Sequence, residues 1–88
     1  MRYQQNAAAE AAPLDRGLMV LEPESRRFCA LNPTSTLLWS RLAQPATAEQ
    51  LAEFMVGHFQ GVSQADALKD VRAIIDEMAA AGIVVPVA

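Results

Sequence analysis

The run Phe28-Cys29-Ala30-Leu31-Asn32-Pro33-Thr34, followed by Leu37, Leu38 and Trp39, constrains this chain more than any other stretch. An aromatic and apolar segment of strand length is stopped by Asn32, and Pro33 follows at once. Asparagine is a strong N-cap acceptor, and proline is favoured at the first helical position because its missing N–H would have had no partner there. The sequence therefore predicts a strand that runs directly into a helix.

Before that strand, Leu18-Met19-Val20-Leu21 and the polar segment Pro23-Glu24-Ser25-Arg26 complete a strand-turn-strand pattern. A period of two puts Phe28 and Ala30 on one face, with Cys29 and Leu31 on the other. Both faces are apolar, so each should be covered. After the hairpin, helix one is expected from Pro33 to about Ala43. Thr47-Ala48-Glu49-Gln50 fits a capping box for a second helix with Leu51, Phe54, Met55 and Phe59 on its buried stripe. Ser63-Gln64-Ala65-Asp66 opens a third helix in the same way. On a helical wheel Ala67, Leu68, Val71, Ile74, Ile75, Met78 and Ala79 of that helix cover roughly 140°, wider than the roughly 100° stripe a surface helix needs. Gly82 should end it as a left-handed cap, and Ile83-Val84-Val85 can form a short closing strand.

Residues 1–16 are polar and Ala-rich and show no amphipathic period. They are expected to form a loosely held arm, with one edge strand near Met1 to Gln5 or Pro13 to Arg16. Residues 17–88 would then form the domain. The expected fold is α+β and winged-helix-like, with an N-terminal antiparallel β-hairpin or three-stranded sheet packed on three α-helices.

Composition narrows the function. With 88 residues there is one domain with a modest core. The 7 basic residues are scattered and outnumbered by 10 acidic ones, whereas nucleic-acid binding needs a basic footprint that displaces counterions. A single cysteine forms no internal disulfide, no secretory signal is visible before Pro13, and no apolar run reaches membrane-spanning length, so a soluble cytoplasmic protein is expected.

Catalytic patterns are missing. There is no Cys-x-x-Cys, no histidine pair at metal-ligand spacing, no phosphate loop and no nucleophile elbow. His58 has no evident partner for acid-base work and reads as a packing or surface residue. Cys29 reads as a small buried thiol. Lys69, Arg72 and Asp76 on one flank of helix three, and Asp70 and Glu77 on the other, read as a solvated face or as the rim of an apolar groove.

Leu18 to Leu21, Arg27 to Thr34, Trp39, Leu42, Leu51, Phe59, Asp70-Val71, Ile74-Ile75, Met78 and Gly82-Ile83-Val84 together resemble the PqqD-like family. These are leader-recognition domains of ribosomally made, post-translationally modified peptides. Within it the chain is most similar to the stand-alone proteins of lasso-peptide clusters. The resemblance implies a non-catalytic adaptor with no cofactor. The leader of a precursor peptide would join the sheet as an extra strand between the hairpin's last strand and helix three. The implied site is the strand edge Arg27, Phe28, Cys29, Ala30 and Leu31 facing a wall of Leu68, Val71, Arg72 and Ile75, with Arg72 at the rim.

Implied partners are the leader, a cysteine-protease leader peptidase and the ATP-dependent cyclase, and the open edge could also pair with a second copy. An alternative within the family is a scaffold presenting a precursor to a radical S-adenosylmethionine enzyme. Outside it, a winged-helix DNA-binding protein would need a basic recognition helix. Helix three instead carries Lys69 and Arg72 against Asp66, Asp70, Asp76 and Glu77. A purely structural subunit is the third reading.

Overall fold

The computed structural model describes residues 1–87. In chain order the elements are β1 (Arg2–Gln5), β2 (Glu10–Leu14), β3 (Gly17–Glu22), β4 (Arg27–Leu31), α1 (Pro33–Arg41), β5 (Ala46–Thr47), α2 (Ala48–His58), α3 (Gln64–Ala80) and β6 (Val84–Val87). The strands form two antiparallel three-stranded sheets, β5-β1-β6 and β2-β3-β4. The fold is α+β with three helices, as expected, but it carries a second sheet that the sequence did not announce.

The local signals act where they stand. Asn32 Oδ1 accepts the Ser35 N–H at 2.8 Å and starts α1 with Pro33 behind it. Thr47 and Gln50 form the reciprocal capping box of α2. Ser63 Oγ caps α3 through the Asp66 N–H at 3.1 Å. The Asp66 carboxylate is one methylene shorter than the usual Glu, and only this half of the box forms. Gly82 ends the third helical segment at φ +77°, where a side chain would be strained. The closing strand runs through Pro86 to Val87, and Ala88, the last residue of the expected domain, lies outside the described residues.

The main correction concerns the first sixteen residues, which are not a loose arm. They supply β1, the central strand of the first sheet, and β2, an edge of the second. Their polar side chains are what holds them. Gln5 donates its backbone N–H to the Leu42 carbonyl at 2.8 Å and its Nε2 to the Trp39 carbonyl at 2.7 Å. Asn6 does the same for Ile83 and Gly82, both at 2.9 Å. The Leu42, Gly82 and Ile83 carbonyls lie just beyond the ends of α1 and α3 and the Trp39 carbonyl in the last turn of α1, the places where a helix runs out of its own N–H partners. Tyr3 adds a partly buried ring against the core.

One core joins the layers. Val20 and Leu31 come from the hairpin, Leu38, Trp39 and Leu42 from α1 and its cap, Leu51, Ala52 and Met55 from α2, Ala67, Val71, Ile75 and Met78 from α3, and Ile83 and Val84 from the chain's end. The Trp39 Nε1–H donates to the Ile83 carbonyl at 3.2 Å, so the indole's one polar atom is satisfied inside the core.

Candidate functional site

Two sheets of three strands leave four edges, and three of them are poor templates for another strand. β5 has two residues, β2 holds Pro13 and β6 holds Pro86; proline has no ladder donor. β4 carries five non-proline residues and pairs only with β3.

The register of β4 follows from one close approach. A Cβ on Gly17 would overlap the Leu31 carbonyl oxygen, so that oxygen points at β3, and glycine is required opposite it. Backbone groups alternate along an antiparallel strand. Arg27, Cys29 and Leu31 therefore direct their N–H and C=O toward β3, while Phe28 and Ala30 direct theirs to the open edge.

Side chains alternate as well, and cross-strand partners share a face. Leu18 pairs with Leu31, Val20 with Cys29 and Glu22 with Arg27. This set faces inward, with Val20 and Leu31 buried and Cys29 partly so. Met19 pairs with Ala30 and Leu21 with Phe28 on the outer face, where Phe28 is 67% exposed. Of the two apolar faces expected to be covered, only the inner one is.

The inner side chains of β4 meet the last turns of α3. Arg27 Nη1 donates to the Ala80 carbonyl at 2.8 Å. Burial pushes the Cys29 thiol above its ordinary pKa, and the nearby Glu77 carboxylate pushes it further in the same direction. At 3.6 residues per turn Ile74 lies beside Glu77 on this flank of the helix. Ile74 is half-buried against the core and Glu77 exposed. An open strand edge thus runs near the end of α3, with Cys29 and Leu31 on its inner face, Glu77 near Cys29 and Arg27 bonded to Ala80 across one end, and Ile74 shares the Glu77 flank of the helix.

The residues expected on the helix wall are distributed otherwise. Val71 is fully buried and Ile75 nearly so, and both are core. Leu68 is half-buried and stands nine positions from Glu77, about 180° around the helix. Arg72 is exposed on that far side, lining a recess with Met1 and Tyr3. The wheel measured how wide the apolar arc is; it could not say which margin would meet β4. Ile74 at one margin, next to Glu77, was the signal available for the alternative.

Among the described residues no group of three or more His, Cys, Asp or Glu is placed to hold a metal ion. No helix among them is long and apolar enough to cross a membrane.

The model of the family of coenzyme PQQ synthesis protein D (PqqD) matches residues 17–84, and the chain belongs to that family. Two solved structures share its fold. One is TbiB1 in complex with the TbiA(beta) leader peptide, 16% identical at a TM-score of 0.82, covering 97% of this chain and 98% of that one. The other is a lasso peptide synthetase B1 complexed with the leader peptide, 24% identical at a TM-score of 0.79, covering 96% and 98%. Coverage from end to end means that β1 and β2 belong to the shared architecture as much as the helices do. No match is found among the curated proteins.

Proposed function

We propose that this protein is a non-catalytic adaptor of lasso-peptide biosynthesis. It binds the leader region of a ribosomally made precursor by strand addition to β4 and delivers it to the processing enzymes. The observation that carries this reading is the β4 edge itself: among the described residues it is the one proline-free edge longer than two residues, with the backbone groups of Phe28 and Ala30 turned away from β3. Membership of the PqqD family supports it, as do two proteins of the same fold captured with leader peptides.

In this reading Arg27, Phe28, Cys29, Ala30 and Leu31 form the binding strand, and Ile74 and Glu77 take the place first given to Leu68, Val71, Arg72 and Ile75. Leader side chains that point inward meet Cys29, Leu31 and Ile74. Those that point outward extend the apolar face of Met19, Leu21, Phe28 and Ala30, which offers a surface to the next partner, a cysteine-protease leader peptidase and then the cyclase. The adaptor would act in the cytoplasm, where ribosomal precursors are made.

Fluorescence polarisation with labelled leader peptides encoded beside the gene tests the reading, with a scrambled leader and a DNA duplex as controls. Saturable binding to the native leader alone is expected. Binding only to DNA, or equal binding to the scrambled peptide, refutes it.

A further inference from the structure

The open edge of β4 is backbone, but an ionised side chain of α3 stands near its inner face. Arg27 and Cys29 lie two positions apart on that face, about 6.7 Å along the strand. Each has a neighbour at the end of α3. The Ala80 carbonyl accepts from Arg27 Nη1 at 2.8 Å, and the Glu77 carboxylate is close enough to Cys29 to disfavour its thiolate. Glu77 precedes Ala80 by three positions, about one turn back along the same side of the helix. Two matched points, Arg27 with Ala80 and Cys29 with Glu77, thus set the strand against the helix end.

The charged groups at these points are engaged differently. Arg27 already donates to the helix end. Glu77 is exposed, and among the described residues its carboxylate has no hydrogen-bond or ion-pair partner. Asp70, also exposed, lies seven positions earlier and nearly in line along the helix, so it adds to the negative charge of this flank. A strand added to β4 would lie about 4.8 Å from it, and its residue beside Cys29 would put its side chain on the same inner face. That side chain emerges next to Glu77 and takes part of the carboxylate's water. A carboxylate only accepts hydrogen bonds, the Cys29 S–H is a weak donor, and a charge taken out of water is costly unless paired. The incoming side chain must donate, and a cation does so most strongly.

We propose that Glu77 is a specificity-determining residue for the leader: it selects a segment with lysine or arginine at the inner-face position beside Cys29 and rejects one with an acidic residue there. The inference rests on the leader-binding reading and adds to it the charge of one leader side chain. A slip of one residue would carry the cation to the outer face, so the same pair fixes the register of the added strand.

The test first finds that position and then varies it. Leader peptides encoded beside the gene, each carrying one cysteine activated as its 2-thiopyridyl disulfide, are scanned against Cys29, the chain's single thiol. The position that cross-links fastest, read by mass spectrometry, lies beside it. Peptides with Lys, Gln or Glu at that position are then titrated by fluorescence polarisation into the wild type, Glu77→Gln and Glu77→Lys. In the wild type the Kd of the Lys peptide should be at least tenfold below that of the Glu peptide, with Gln between. Glu77→Gln should bring the three within threefold of one another, and Glu77→Lys should reverse their order. Glu77 is exposed, so both variants should melt like the parent. Equal binding of the three peptides by the wild type, or the wild-type order of preference kept by Glu77→Gln, overturns this inference and leaves leader binding standing. Binding of none of the three, or no cross-link to Cys29 from any position, overturns strand addition at β4 and this inference with it.

Discussion

Proline at Ala30 separates strand addition from every other use of β4. Ala30 is exposed, its backbone N–H points away from β3, and the preceding Cys29 is extended as a residue before proline must be. Ala30→Pro should therefore leave the β3–β4 ladder intact while removing one of the two donors on the open edge. The lost hydrogen bond is worth about 0.5–1.5 kcal/mol, and the leader carbonyl left without a partner costs about 1–3 kcal/mol more when desolvated. A total of about 1.5–4.5 kcal/mol corresponds to roughly 13- to 2,000-fold in Kd. Cys29→Pro is the matched control. It removes a donor that faces Val20 across the ladder, so it should lower the melting temperature instead.

The assay is leader titration by fluorescence polarisation, with circular dichroism melts of both variants. An Ala30→Pro protein that melts like the parent and binds leader within threefold of it would refute strand addition at this edge. So would the reverse assignment, with Ala30→Pro unfolding the hairpin and Cys29→Pro sparing it.

Three further outcomes follow from the packing and the charges. Cys29 should react slowly with iodoacetamide near pH 8, because burial and Glu77 disfavour the thiolate; Glu77→Gln lowers the thiol pKa and speeds labelling, and bound leader blocks it, both read by mass spectrometry. Leu38 is fully buried, so Leu38→Ala should cost about 2–5 kcal/mol in urea unfolding, a large part of the roughly 4–13 kcal/mol typical for a domain of this length. Gly82→Ala forces a side chain into the left-handed region and brings its Cβ to 3.1 Å from Glu22 Cγ, which should destabilise by about 1–2 kcal/mol in a thermal melt.

The parts of this fold that were legible in the sequence are those fixed by neighbours in the chain. Asn32-Pro33, Thr47 with Gln50, and Ser63 each cap a helix through bonds spanning three residues, and the β3–β4 hairpin closes over four. β1 and β2 were missed because their stabilising partners lie far away. Asn6 bonds Gly82 across 76 positions and Gln5 bonds Trp39 across 34. Read locally, Gln4, Gln5 and Asn6 look like the composition of a disordered tail. Read in place, they are the groups that satisfy helix-end carbonyls. The helix wall was harder to read for a related reason: periodicity defines an apolar arc, but only the path of β4 brings the Glu77 flank of α3 near Cys29 and puts Leu68 and Arg72 on the other flank.

The geometry of β4 also limits what its backbone can contribute, and so where selectivity must reside. Only Phe28 and Ala30 turn their groups outward, giving at most two donors and two acceptors to an added strand. Four bonds at about 0.5–1.5 kcal/mol each supply about 2–6 kcal/mol, while association costs an estimated 4–15 kcal/mol before any contact is made. Backbone pairing alone therefore cannot give micromolar affinity, which needs a net −8.2 kcal/mol by general arithmetic. The remainder must come from apolar burial at about 25 cal/mol per Å², which means several hundred Å² of leader and groove surface. In the proposed complex Cys29, Leu31 and Ile74 would lie on the inner side of the added strand and Phe28 on the outer. A backbone edge pairs with any extended chain, so a leader bound there would be chosen by the side chains it presents to those two faces. A peptide that keeps the strand but loses its large apolar residues should not bind at all.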